Sequence, residues 1–238
     1  MTVPLGCDYT YGIKNWPALG NMSRGDCFEV AFEELRMAKE MAGAKGLGKL
    51  KRAFYRLGFT PPTSAQALQL YYDYGIFIGE KGPQPDKGTT STIFYPWALS
   101  KGLIYGWAVI DITPNLINGE DWRTRLDTAM SDPDFHGCVL EVNLPATIWT
   151  QFYKHRTLDF DPALNTPFIG AHAVALLRYS ERFYQFPTWG RLATATERWV
   201  ENCRIFATVF VSPEDEGRPG FDKARALAKI TALGGTVA

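Results

Sequence analysis

The chain has 238 residues, with 25 Lys and Arg set against 25 Asp and Glu, so its formal charge is zero. That balance excludes a strongly basic nucleic-acid binder and a polybasic membrane binder on bulk electrostatics. Hydrophobic residues at 46% and charged residues at 21% supply a large core and exclude a disordered chain.

Residues 1–19 contain Asp8, Lys14, Trp16 and Pro17 and lack the basic and apolar segments of a secretion signal. Apolar stretches such as 173–177 are far short of the ~20 residues that cross a bilayer. The four cysteines, Cys7, Cys27, Cys138 and Cys203, show neither a CxxC pair nor metal-ligand spacing. A reduced, cytoplasmic setting is expected.

Asp26 and Glu29 form a D-x-x-E variant of the capping box. Cys27, Ala31, Leu35, Ala38 and Ala42 then recur at helical spacing, which predicts a helix over 27–43. Its opposite face carries Glu29, Glu33, Arg36 and Glu40 and reads as solvated. A basic helix is expected over 47–57, and a third over 65–74 capped by Thr63 or Ser64. The Gly- and Pro-rich segment 79–91 reads as a loop, followed by a helix over 93–100 interrupted by Pro96.

Beyond residue 103 the pattern changes. Runs rich in Val, Ile, Tyr and Phe at 103–112, 137–144, 171–179, 182–186 and 203–211 predict strands of one antiparallel sheet. Helical inserts are expected at 121–130 and 146–155, and a C-terminal helix at 221–233. The fold class is therefore α+β, one domain over 1–238, with a helical lobe over about 20–102 and a sheet lobe over about 103–211.

A nucleophilic thiol needs its thiolate favoured, and the first turn of a helix supplies unpaired N–H groups and the positive end of the macrodipole. Cys27 occupies that place after the turn Gly20-Asn21-Met22-Ser23-Arg24-Gly25-Asp26. On the helix alone, the commoner reading is a small buried residue on an apolar stripe. The chain has three histidines, His136, His155 and His172. His172 stands in Gly170-Ala171-His172-Ala173-Val174 at the start of an apolar strand run, and Trp189-Gly190 follows it by 17 residues. The contexts of His136 and His155 read as a loop and a solvated helix end.

The order of these motifs resembles the papain-like cysteine peptidases: Asn21 before Cys27, the thiol opening a long helix, His-Ala-Val at His172, and Thr188-Trp189-Gly190. The 145 positions from Cys27 to His172 fall in the roughly 130–150 window of papain-type enzymes. The phrases look closest to compact members encoded by bacteriophages and prophages. The resemblance implies a papain-like fold with Cys27 as nucleophile, His172 as base and Asn21 in the place of the oxyanion-hole amide. It also implies Trp189 as the ring shielding the histidine. The family's orienting asparagine would stand two residues before that tryptophan, where this chain has Pro187. Thr188, or Gln185 in a slipped register, is the available substitute.

The implied reaction is hydrolysis of a peptide or amide bond through a thioester, on a polypeptide substrate, with no cofactor, no metal and no membrane. The alternative is a catalytically silent papain-fold protein that binds a host factor or other phage particle proteins, in the host cytoplasm or a virion. Nucleic-acid binding through Lys45, Lys49, Lys51, Arg52 and Arg56 is weighed and set aside, because such runs are usually solvated helix faces. The pairs Asp132/Asp134 and Asp159/Asp161 lie beside prolines and read as turn carboxylates rather than metal ligands. Surplus aromatics, Trp97, Tyr105, Trp107 and Trp122, suit either core or a partner surface.

Overall fold

A computed structural model describes residues 6–9, 26–46, 64–79, 88–115, 117, 120–180 and 182–238. Among the described residues three helices come first: α1 (Cys27–Gly46), α2 (Ser64–Phe77) and α3 (Ser91–Ser100). The region expected to form a basic helix, 47–57, lies outside the described residues, as do Asn21, Thr63 and most of the 79–91 loop. Pro96 sits inside α3 without ending it.

The remaining helices are α4 (Trp122–Ser131), α5 (Ile148–Tyr153), α6 (Glu197–Cys203) and α7 (Lys223–Ala232). Side-chain caps fix three of their starts. Asp121 accepts from the Thr124 N–H, Thr196 from the Trp199 N–H and Asp222 from the Arg225 N–H, each contributing roughly 1 kcal/mol by satisfying an orphan donor.

Among the described residues nine strands fall into two antiparallel sheets, which corrects the expectation of one. The five-stranded sheet has the order β4 (Phe168–Leu176), β3 (Cys138–Pro145), β8 (Arg204–Val211), β2 (Gly106–Ile110), β9 (Thr236–Val237). The four-stranded sheet runs β1 (Gly6–Asp8), β5 (Arg178–Ser180), β6 (Phe183–Thr188), β7 (Arg191–Thr196). The single strand expected over 171–179 is in fact two, divided at Leu177. Its carbonyl accepts from Tyr9 and its N–H donates to Gln185, so the chain crosses there from one sheet into the other.

The period of two along β4 divides the molecule into two cores. Ala173 and Ala175, with Val139 and Phe210 from neighbouring strands, face Phe28, Ala31, Phe32 and Leu35 of α1 and Phe94, Tyr95 and Trp97 of α3. Val174 and Leu176 face the opposite way, into a core shared with Tyr184, Phe186, Trp199, Leu126 and Ile230. Trp97 and Trp122 are core residues, not a partner surface.

The solvated face expected on α1 is corrected at Glu29, while Glu33, Arg36 and Glu40 are partly exposed. Glu29, Glu34 and Lys39 are fully buried, because α1 packs not only on β4 but also on α2 and on the 3-10 turn Pro213–Gly217. Lys39 is neutralised there by Asp215 at 2.8 Å, and Asp215 also holds Arg218 at 2.8 Å and the Ser212 N–H at 2.8 Å. Buried charges survive only when paired and hydrogen-bonded in this way. Among the described residues no cation pairs with Glu34, and burial pushes its carboxyl well above the usual range.

Candidate active site

The candidate site forms where α1 begins beside the open edge of the five-stranded sheet. β4 is an edge strand, so part of its backbone has no ladder partner. The Ala173 backbone supplies a hydrogen bond to the Cys27 sulfur. The preceding residue on the same strand is His172. One stretch of β4 therefore meets the thiol through its backbone and carries the imidazole on its side chain.

His172 is buried, and its Nε2 lies 2.8 Å from the Thr188 hydroxyl, itself buried at the end of β6. No other hydrogen bond to the ring is found among the described residues, which leaves Nδ1 without a polar partner there. Of the two substitutes read from the sequence, Thr188 is the one that reaches the imidazole. Gln185 is occupied elsewhere, donating to Thr194 Oγ1 and accepting from Arg178. Pro187 has no polar side chain to offer.

Trp189 covers the other side of the imidazole. The two rings are stacked, with centroids 4.6 Å apart and planes 13° from parallel. Thr188 and Arg191 pair across the β6–β7 hairpin, and the two residues between them, Trp189 at φ 46° and Gly190 at φ 82°, are both left-handed. Glycine tolerates that conformation freely, whereas a bulky residue is strained in it by about 1–3 kcal/mol. The strain is offset by packing: Trp189 is buried against His172, Trp149 and Phe152.

The electrostatics differ from the expectation for a helix N-terminus. Burial pushes the Cys27 thiol up to about 12, against the lowering by the Ala173 backbone, and Glu29, Asp26 and Glu141 push it further in the same direction. Burial lowers His172 to about 3. At neutral pH the resting pair is thiol and neutral imidazole rather than thiolate and imidazolium. Desolvation and three nearby carboxyl groups outweigh the macrodipole, which is worth at most ~2 kcal/mol in partly buried geometry.

Glu29 is the residue that sequence reasoning misplaced. It is buried in the first turn of α1; one carboxyl oxygen accepts from the Thr89 hydroxyl and the other has no partner. Burial pushes its carboxyl up to about 8, so it is largely neutral at pH 7. Its position two residues after Cys27 was the available signal, masked by its apparent place on a wet face.

Of the acidic residues weighed as metal ligands, Asp132, Asp134 and Asp159 are ion-paired and Asp161 accepts from the Ala163 N–H. Asp132 takes Lys229, Asp134 takes Arg225 and Lys229, and Asp159 takes Arg198 and Thr196. Among the described residues no group of three or more His, Cys, Asp or Glu side chains is placed to hold a metal ion. Asn21 lies outside the described residues.

No protein-family model matches the chain, and no curated protein matches it. Among solved structures it is similar to xylellain, a cysteine protease from Xylella fastidiosa. The TM-score is 0.55 and the identity 13%, over 89% of this chain and 87% of that chain. The fold is papain-like, α+β with two antiparallel sheets. No helix among the described residues is long and apolar enough to cross a membrane.

Proposed function

We propose that the protein is a thiol hydrolase of papain-like fold, cleaving peptide or amide bonds in a polypeptide with Cys27 as nucleophile and His172 as base. The observation that carries this reading is the state of His172. Its Nε2 is held by Thr188 and its face is covered by Trp189, and the next residue of its strand hydrogen-bonds the Cys27 sulfur. A scaffold has no physical need to strain a tryptophan in order to cover a buried imidazole.

The chemistry follows from the protonation states. As the sulfur attacks the carbonyl carbon, neutral His172 takes the thiol proton, so the thiolate is generated in the step that uses it. The tetrahedral oxyanion collapses to a thioester, and the imidazolium returns its proton to the departing amine. Water then attacks the thioester with His172 again accepting a proton, which releases the acid and restores the thiol. Thr188 holds the ring orientation throughout, the role that an orienting asparagine fills elsewhere in this fold. Asn21 is assigned the oxyanion amide on the motif resemblance.

A second reading is favoured by one observation: a thiol pushed up to about 12 beside a histidine lowered to about 3 is a poor ground state for thiolate chemistry. On that reading the fold is kept for binding a protein partner. Phage encoding, a place in a virion and a host-cytoplasmic location rest on the motif resemblance and accompany this second reading.

One experiment separates the two. The full chain is incubated with a peptidyl epoxide and with casein, alongside Cys27→Ala and His172→Ala. The hydrolase reading expects a covalent adduct on Cys27 and casein fragments, both lost in the two variants. Neither adduct nor fragments above the His172→Ala level would overturn it in favour of the binding role.

A further inference from the structure

The aromatic cover of His172 does not end at Trp189. Trp149 lies against Trp189 with ring centroids 4.7 Å apart, and Tyr153 stacks on Trp149 at 5.8 Å with planes 23° from parallel. These two residues stand four apart on α5 and so share one side of that helix. The ladder His172–Trp189–Trp149–Tyr153 runs from the buried imidazole out to solvent, where Trp149 is 37% and Tyr153 61% exposed. Isolated exposed aromatics are ordinary, but a contiguous run of rings joined to a candidate catalytic histidine is a recognition surface.

The helix that carries the outer rings is clamped at Phe152. The Arg191 guanidinium stacks on the Phe152 ring at 3.7 Å and donates to the Phe152 carbonyl and to His155 Nδ1. Phe152 in turn meets the Trp189 ring edge-on at 4.9 Å. Arg191 belongs to the hairpin that carries Thr188 and Trp189, so α5 is clamped to the element that orients the imidazole. A preorganised aromatic face binds without the entropy loss of ordering it.

Which part of a substrate meets this face follows from the proton transfer. The imidazole gives its proton to the departing amine, so that amine lies on the imidazole side of the scissile bond. The residue attached to it passes over whatever adjoins the imidazole, first Trp189 and then Trp149. We propose that Trp149 and Tyr153 are specificity-determining residues that receive the leaving-group side of the polypeptide and select a large apolar or aromatic side chain immediately after the scissile bond. This inference rests on the hydrolase reading above.

Acyl transfer tests it directly. A peptidyl methyl ester acylates Cys27 with a leaving group too small to reach α5, and phenylalaninamide and glycinamide then compete with water for the thioester. The products are quantified by mass spectrometry. The wild-type chain is expected to transfer the acyl group to phenylalaninamide over glycinamide by about ten-fold or more, the size of a modest apolar-pocket preference. Trp149→Ala and Tyr153→Ser should reduce that preference several-fold, read as the ratio of the two aminolysis products formed within one reaction. Tyr153 is mostly exposed, so its substitution leaves folding intact. Equal transfer to the two amides, or a preference insensitive to both substitutions, would overturn the platform while leaving the hydrolase standing. Absence of Cys27-dependent ester turnover would overturn both.

Discussion

Thr188→Val removes a single hydroxyl and keeps the β-branched shape that suits β6. The lost contact is the 2.8 Å hydrogen bond to His172 Nε2, and both partners are buried. A buried ring nitrogen left without its partner costs about 1–3 kcal/mol, more than the net worth of the bond, because water cannot replace it. In a chain of this size each kcal/mol moves the melting temperature by roughly 2–4 °C, so a drop of about 2–12 °C is expected by thermal denaturation. Orientation gives a second readout that packing alone would not move. Thr188 acts through His172, so kcat on a peptide substrate should fall while KM holds, and Cys27 labelling by a peptidyl epoxide should slow in parallel. Thr188→Ser retains the hydroxyl and should recover most of both. If Thr188→Val melts with the wild-type chain and labels at its rate, or if Thr188→Ser is equally impaired, Thr188 is not the group that orients His172.

Glu29→Gln removes a carboxyl that is neutral near pH 7 and charged above about pH 8. Its alkylation by iodoacetamide at Cys27 should therefore match wild type at pH 7 and exceed it at pH 10, by roughly ten-fold if the charge shifts the thiol equilibrium by one decade; superimposable rate–pH profiles would contradict this. His172, lowered from 6.5 to about 3 in the folded chain, binds its proton more readily when unfolded. Its contribution to stability is present above pH 6.5 and is lost as pH falls towards 3. Urea midpoints at pH 4, 5.5 and 7 should show a shallower loss in His172→Gln than in wild type. His136, lowered to about 2 by burial first, has the same sign and should be replaced in parallel as a control. Asp215→Asn leaves the buried Lys39 ammonium without its carboxylate and should destabilise by about 3–5 kcal/mol in denaturant titrations; a loss under 1 kcal/mol would show that Lys39 is already neutral.

What could be read from the sequence was local. The start of α1 at Cys27, the helices expected over 121–130 and 221–233, and the strand around His172 are each set by residues within a few positions of one another. What could not be read required knowing what packs on what. The hydrophilic face of α1 gave no hint of burial, since Glu29, Glu34 and Lys39 are enclosed by segments distant in sequence. The division of 171–179 at Leu177 is set by backbone partners at Tyr9 and Gln185, not by any turn residue. β7 and α6 went unrecognised because Ala193 and Ala195 are weak strand formers, although Trp189-Gly190 fits a two-residue hairpin and Thr196 caps the helix that follows. At the site, Thr188 and Trp189 were legible as motif neighbours of His172, whereas the raised thiol depended on burial under distant segments and, after it, on carboxyl groups gathered from around the start of α1 and from β3. Trp149 and Tyr153 were visible only as members of a helix.

Trp189 carries a consequence for anyone who re-engineers this chain. The tight turn it occupies suits Asn-Gly, and a redesign guided by turn rules would write that pair by changing Trp189 alone, relieving backbone strain at the first central position. The substitution would improve the hairpin and strip the imidazole of its cover in one step. Here a residue strained by its backbone covers the proposed base, and its buried ring offsets that strain, so a turn rule applied without regard to packing would wrongly discard Trp189. A library screened for turnover should keep it.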